Sequence, residues 1–476
     1  MESIILKIKN TVEKYPDKIA IQYKDKLMTY KELDVFSDYI AHNLMNFITR
    51  GQIIGVHIYK DEEFIPIIVA LWKIGCAYVP LDKDVDYERI NYIIKDAKIN
   101  YVISDVLEKE INANIIKKEK ITKKINIQKL SRIYIKNDEI CYIIYTSGTT
   151  GKPKGAIISN NNVLNFIDSI SNVIDFSSND RILAITTENF DIAFLELFLP
   201  LCLGATVIIG NKRHLIDMKY LAQTISDKNI TIMQATPTTW EMLFNTNWNN
   251  ENKIKILCGG EPLTQPLAKK IIKSGSKAWN LYGPTETTIW SSTWEITNMN
   301  ISIGEPIDNT RFYIINSDGK KVEEDNIEGE LCIAGRGVSL GYINNHKLTK
   351  DKFIFLENEL AYKTGDIVFK NNNLFYYKGR KDFQVKINGH RIEIEDIENN
   401  LISINEIEKA IVVYDSQVKQ LKAYIKIKEQ ISVIKIMEVL RNKIPAYMIP
   451  KKYYFVNEFP LTFNKKINRK KLLELQ

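Results

Sequence analysis

Tyr145-Thr-Ser-Gly-Thr-Thr-Gly-Lys-Pro-Lys-Gly155 follows an apolar run at 140–145 and precedes a second, shorter one at 156–158, so it reads as a loop between two strands. Its glycines, Gly148, Gly151 and Gly155, let backbone N–H groups approach an anion closely. Thr146, Ser147, Thr149 and Thr150 supply hydroxyl donors, and Lys152 and Lys154 supply charge. Such a set suits triphosphate oxygens. It is not a Walker loop, because the step from Gly148 to Gly151-Lys152 is too short for GxxxxGK[ST] and Pro153 stands where the magnesium-binding hydroxyl would be. This weakens a kinase or GTPase reading. A plain flexible linker would not carry so many hydroxyls and lysines between two strands.

Outward from the loop, strand and helix patterns alternate. Leu33, Phe36, Ile40, Leu44 and Phe47 fall at helical spacing, 53–58 reads as a strand, 62–74 as a helix and 77–81 as extended. Residues 89–96 read as helix and 101–104 as strand; beyond the loop come a strand at 181–185, a helix at 192–199 and a strand at 206–209. Alternation of this kind predicts an α/β fold of doubly wound parallel sheets. After about Ser302, shorter strands with Gly and Asn turns predict a barrel-like or antiparallel section. From Asp382 the pattern becomes a small α+β unit. The expected organisation is a large N-terminal domain over 1–381 and a small C-terminal domain over 382–476.

Composition closes other doors. The chain has 476 residues, 65 basic and 58 acidic, for a net charge of +7; 45% is hydrophobic and 26% charged, as in globular proteins. The longest apolar run, 64–72, falls far short of the ~20 residues that span a bilayer, and charges interrupt the first ten residues, so neither a membrane segment nor a signal peptide is expected. A cytoplasmic location follows as an expectation. Cys76, Cys141, Cys202, Cys258 and Cys332 form no CxxC, and the five histidines form no HExxH, which argues against a zinc site, a disulfide framework or a histidine-centred nucleophile. The densest basic patch, 117–124, reads as a solvated loop or edge rather than a nucleic-acid surface.

The loop closely resembles the phosphate-binding loop of the adenylate-forming enzymes, the superfamily of acyl-CoA synthetases, luciferases and peptide-synthetase adenylation domains. Leu71-Trp-Lys-Ile-Gly-Cys-Ala-Tyr-Val-Pro-Leu-Asp82, Asn280-Leu-Tyr-Gly-Pro-Thr-Glu286 and Gly329-Glu-Leu-Cys-Ile-Ala-Gly335 also match its pattern. So do Tyr362-Lys-Thr-Gly-Asp366, Gly379-Arg-Lys-Asp-Phe-Gln-Val-Lys-Ile-Asn-Gly389 and Pro445-Ala-Tyr-Met-Ile-Pro450, in the family's order and spacing. The resemblance implies ATP and Mg²⁺. Tyr282 would stack on adenine, with Asn280, Gly283, Thr285 and the Gly259-Gly260-Glu261 turn nearby. Asp366 would hold the ribose, Tyr377 and Arg380 would lie beside the nucleotide, and Glu286 would hold Mg²⁺. Thr146, Ser147, Gly148, Thr149, Thr150 and Lys154 would hold the departing pyrophosphate. Lys466, in Pro460-Leu-Thr-Phe-Asn-Lys-Lys-Ile-Asn-Arg469, resembles the lysine that bridges substrate carboxylate and α-phosphate; Lys465 replaces the usual glycine and Asn468 an aspartate. Asp382 resembles the hinge about which a mobile small domain turns between adenylation and thiol transfer, and the Gly389 loop would line the thiol channel.

Asp191 resembles the carboxylate that amino-acid-activating members pair with the substrate ammonium; the simpler alternative is a helix N-cap. The pocket implied by the resemblance is Asp191, Ile192, Leu195, Gln234, Leu257, Gly259, Leu281, Ile289 and Trp290, with Lys466. Its bulk predicts glycine as substrate. No carrier or condensation motif is present in the chain, so the expected partner is a separate phosphopantetheinyl carrier protein, with a small activator protein as a further possibility. A D-alanine–carrier ligase, an acyl- or aryl-CoA ligase and a degenerate scaffold remain as alternatives.

Overall fold

A computed structural model describes residues 3–107, 110–123, 139–148, 152–461 and 467–474. Two large sheets carry the N-terminal part. The first runs, edge to edge, Asn114–Lys117, Tyr101–Ser104, Ile53–His57, Ala77–Pro80, Ile140–Thr146 and Lys154–Ser159, parallel except for the last pair. The second has nine strands. At its centre Lys255–Gly259, Ile232–Ala235, Arg181–Ala184 and Thr206–Ile209 lie parallel, and Ala278–Tyr282 joins them on one side.

The helices between these sheets explain why the two form one body. Phe64–Ile74 reads FIPIIVALWKI and Ile192–Leu203 reads IAFLELFLPLCL, apolar nearly all round, as helices covered on every side must be. They share a single core that contains Ile54, Tyr142 and Ile144 of the first sheet and Ile182, Val207 and Leu281 of the second. Pro200 lies in the last turn of Ile192–Leu203, and the buried Tyr30 hydroxyl donates to the carbonyls of Pro200 and Ala205 (3.2 and 2.7 Å). Each of these helices stops on a glycine, Gly75 or Gly204, in left-handed conformation.

Between Thr310 and Arg380 the chain builds a wholly antiparallel sheet, in which the long strand Glu359–Asn371 pairs with Gly329–Gly335, Phe353–Leu356 and Leu374–Arg380. Beyond it, the C-terminal part has a core of its own, made of residues from Ile392 to Ile449, against the strands Ile407–Asp415 and Gln420–Ile427. It opens with a feature the periodicity did not reveal, a hairpin of Val385–Ile387 and His390–Ile392. Asn388 and Gly389 both have positive φ (51° and 80°), the Asn-Gly turn whose twist matches such a hairpin.

Two local expectations change. The helix Tyr30–Leu44 ends before Phe47, which is exposed, because the chain turns at 45–47. In the basic patch, Lys118 is not simply solvated: it pairs with Asp61 and Glu63 at 2.6 and 3.2 Å. All five cysteines are buried, and among the described residues no helix is long and apolar enough to cross a membrane.

Gly335 ends its strand at φ +113°, where an added Cβ would sit 2.0 Å from the Asn309 carbonyl oxygen. Gly335→Ala is therefore expected to destabilise the chain by about 2 kcal/mol or more, read as a lower denaturation midpoint with unchanged slope.

Candidate functional site

The motifs converge where parallel strands end. Thr146, Gly259 and Tyr282 each close a strand at its carboxyl end, the edge at which open α/β sheets bind ligands. A cavity there is walled on one side by Thr146, Ser147, Asp191, Tyr282 and Thr285 and on the other by Lys386, Gly389 and Arg391 of the C-terminal hairpin.

The phosphate loop is a hairpin connection. Its strands pair antiparallel, with Thr146 opposite Lys154, so no helix begins at its end. Thr149 and Thr150 lie outside the described residues. The Thr146 hydroxyl is buried without a partner among the described residues, a donor left over for a ligand. Ser147 donates to the carbonyl of Arg391 (2.8 Å), and an added Cβ at Gly148 would lie 2.2 Å from the Lys152 carbonyl oxygen. Lys154 is buried; burial and the neighbouring Arg391 push its ammonium down to about 8, against the pull of Glu286 and Glu393.

Glu286 stands in a single 3₁₀ turn, Thr285–Thr287, with no exposed surface. Its carboxylate accepts from the Tyr342 hydroxyl (2.5 Å) and from Arg391 Nη1 (2.8 Å), with Lys154 Nζ at 3.4 Å. Burial alone would raise its pKa, but Arg391 and Lys154 outweigh that and hold it well below the carboxylate range. Thr288 and Ile289, which follow, have positive φ (63° and 70°), a strained path that turns Glu286 inward and Trp290 back toward the cavity.

On the other side, Tyr282 donates to Asp366 Oδ2 (2.5 Å) and Arg380 Nη1 to Asp366 Oδ1 (2.8 Å). Arg380 also grips Asp382 through two bonds of 2.6 and 2.7 Å. Glu261 accepts from the Thr238 hydroxyl and from the backbone N–H of Gly389, both at 2.7 Å, tying the hairpin tip to the large part. Asn280 gives its amide to the Ser302 carbonyl (2.7 Å); it lines the neighbouring cavity with Gly260, Gly283 and Tyr377.

Asp191 precedes the helix Ile192–Leu203, yet its side chain makes no cap hydrogen bond and its φ and ψ are already helical, which removes the capping alternative. Burial raises its carboxyl pKa, opposed by Thr285 and Lys386. Asp191, Ile192 and Trp290 line the first cavity, and Leu281 lines its neighbour. Gln234 lies behind Trp290 and accepts its indole N–H at 2.9 Å. Leu195, Leu257 and Ile289 are fully enclosed in the core around them, and at Gly259 a Cβ would meet Trp290 Cη2 at 2.7 Å. Lys466 lies outside the described residues.

Sequence reasoning missed Lys386, Arg391 and Tyr342. The first two were readable: an Asn-Gly turn places Lys386 directly opposite Arg391, so both project from one face of the hairpin. Two cations in that position repel unless anions lie beneath them. Here Glu286, Asp191 and Asp366 supply the negative charge. Tyr342 carried no comparable signal.

Among known proteins, the model of the AMP-binding enzyme family matches residues 8–343, and that of the AMP-binding enzyme C-terminal domain matches 396–466. The chain is 33% identical over 478 residues to a dimodular nonribosomal peptide synthase of Bacillus subtilis, covering 96% of this chain and 20% of that one. The chain thus spans about a fifth of the length of that relative. It superimposes on the four-domain nonribosomal peptide synthetase holo-AB3403 bound to AMP and glycine, with a TM-score of 0.74 and 31% identity, over 99% of this chain and 36% of the other. An artificially fused adenylation–PCP di-domain from Klebsiella oxytoca, NpsA-ThdA, shares the fold (TM-score 0.86, 24% identity, 95% and 93% covered). The chain belongs to the AMP-binding enzyme family, within the adenylate-forming superfamily, and resembles the adenylation domains of nonribosomal peptide synthetases.

Proposed function

We propose that the chain activates an amino acid, glycine, as its adenylate and passes it to the thiol of a phosphopantetheinyl carrier protein. The observation that carries this reading is the half-buried Asp191 carboxylate, which lines a cavity that Trp290 also lines. Lys386 offsets the cost of that charge only in part, since the Asp191 pKa stays raised; the ammonium of an amino acid adds a further cation, which a fatty or aryl acid lacks. Glycine is favoured by the bulk of Ile192 and Trp290 where they line that cavity. The 31%-identical structure bound to AMP and glycine supports the same choice.

In the first step a glycine carboxylate oxygen bonds to the α-phosphorus of ATP, the bond from that phosphorus to the bridging oxygen breaks, and pyrophosphate leaves. Thr146, Ser147 and Lys154 face the leaving group, and Lys466 neutralises the approach of two anions. Glu286 is the hard carboxylate that would hold Mg²⁺, in competition with Arg391 and Lys154, which pair with it in this structure. When bound, the ion would offset phosphate charge. In the second step the carrier's sulfur bonds to the carbonyl carbon, the bond from that carbon to the phosphate oxygen breaks, AMP departs and the thiol proton is released to solvent. The hairpin with Lys386 and Arg391 closes the site for this step, and Asp382, held by Arg380, marks the hinge between 1–381 and 382–476.

Amino-acid-dependent ATP–pyrophosphate exchange tests the reading. Glycine should give the strongest exchange, with L- and D-alanine at least about tenfold lower in kcat/KM, the scale one methylene supplies. Asp191→Ala should lower glycine exchange by about a hundredfold. Exchange supported only by amine-free acids, and indifferent to Asp191→Ala, would overturn it.

The pH profile gives a second check. Lys154 is held down to about 8, so its positive charge fades as pH rises through that value. With ATP varied, kcat/KM should fall above about pH 8; Lys154→Arg, charged throughout, should flatten that limb. A profile identical in both proteins would remove Lys154 from the phosphate site.

A further inference from the structure

Behind the substrate pocket lies a chain of buried polar groups that begins at Trp290 in the cavity lining and runs into the core. Trp290 donates its indole N–H to Gln234 Oε1 (2.9 Å). Gln234 Nε2 then donates twice, to the Ile192 carbonyl (2.9 Å) and to Glu196 Oε1 (3.0 Å). Glu196 also accepts from the Thr186 backbone N–H (2.9 Å) and hydroxyl (2.5 Å). Lys60, from the turn after Ile53–His57 in the other sheet, donates to the carbonyls of Ala184 and Thr186. Its charge attracts Glu196. Glu196, Gln234 and Trp290 are each at most 1% exposed.

A primary amide has two orientations that differ only in which end donates. With a carboxylate on one side, which can only accept, the NH₂ of Gln234 must face Glu196, and its oxygen is left for Trp290. Turned over, the amide would set donor against donor at Trp290 and acceptor against acceptor at Glu196. The indole is thereby held from behind by a group whose orientation Glu196 dictates. In front, the ring edge lies so close to Gly259 that a Cβ there would stand 2.7 Å away.

We propose that Glu196 is a positioning residue that sets the depth of the amino-acid pocket, acting through the Gln234 amide on the Trp290 ring. It rests on the amino-acid activation proposed above. Ile192 and Glu196 lie one helical turn apart, so one turn presents both acceptors to Gln234 while Ile192 also faces the cavity. Glu196→Gln keeps the shape but offers only one acceptor atom to the N–H of Thr186 and the amide of Gln234. One of those two must then face another donor.

The test is the ratio of kcat/KM for glycine to that for L-alanine in ATP–pyrophosphate exchange, measured for the wild-type chain, Glu196→Gln, Gln234→Leu and the double variant. The expected result is a fall of about tenfold in this ratio for each single variant, appearing mainly as a lower KM for alanine. The double variant should fall no further, because both changes release the same ring. Folded variants that lose activity on both amino acids alike, with the ratio intact, would overturn the proposal, since that is what a purely structural role does. Gln234→Leu leaves the Glu196 carboxylate and its Lys60 neighbour in place, so it decides the matter if Glu196→Gln does not fold. Should the wild-type chain prefer another amino acid, the function proposed above fails on its own; the same ratio is then taken between that amino acid and the homologue one methylene larger.

Discussion

Glu286 is a carboxylate with no exposed surface, and the arrangement of the site follows from that constraint. A buried charge persists only when cations and hydrogen-bond donors surround it. The donors come from three distant parts of the chain: Lys154 from the phosphate hairpin, Tyr342 from the segment after the strand Gly329–Gly335, and Arg391 from the C-terminal hairpin. Satisfying one acid therefore draws the large and small parts together. Removing Arg391 from the set would leave the carboxylate with Lys154 and the Tyr342 hydroxyl. The closed arrangement is thus held at its centre by an ion pair rather than by apolar contact alone.

Around that centre the fold assigns separate tasks to separate sheets. The first sheet ends in the phosphate hairpin. Strands of the second carry Gln234 one residue before a strand end and finish in Gly259 and Tyr282, so one sheet supplies groups on both sides of the cavity. Antiparallel strands carry Asp366 opposite Arg380, which places a carboxylate and a guanidinium side by side through register. Two nearly enclosed helices couple the first two sheets through one shared core.

How much of this was legible in the sequence depended on the kind of signal. The parallel strands 53–57 and 101–104 and the helix Phe64–Ile74 showed plainly, because continuous apolar runs and alternation report burial directly. The hairpin at Val385–Ile392 did not, since three-residue strands carry too little periodicity; only the Asn-Gly turn betrays it. Site residues in dense motifs, such as Glu286 and Asp366, could be located from the strings that hold them. Glu196 could not, because a lone acid in an apolar helix looks the same whether it faces solvent or a buried amide. Leu195, Leu257 and Ile289 read as pocket walls, while the folded chain encloses them in the core behind it.

Lys386 and Arg391 face the same way across a ladder only three residues long. On its own such a hairpin carries a small internal repulsion, relieved in part by Glu393, whose carboxylate lies 3.5 Å from Arg391 Nε. It settles when anionic groups lie beneath it, and those groups belong to the cavity. The two-stranded ribbon is thus seated by charge, its cations resting on the acids of the cavity. A dense negative load would compete with Glu286 for Arg391, whereas its departure returns the guanidinium to the carboxylate.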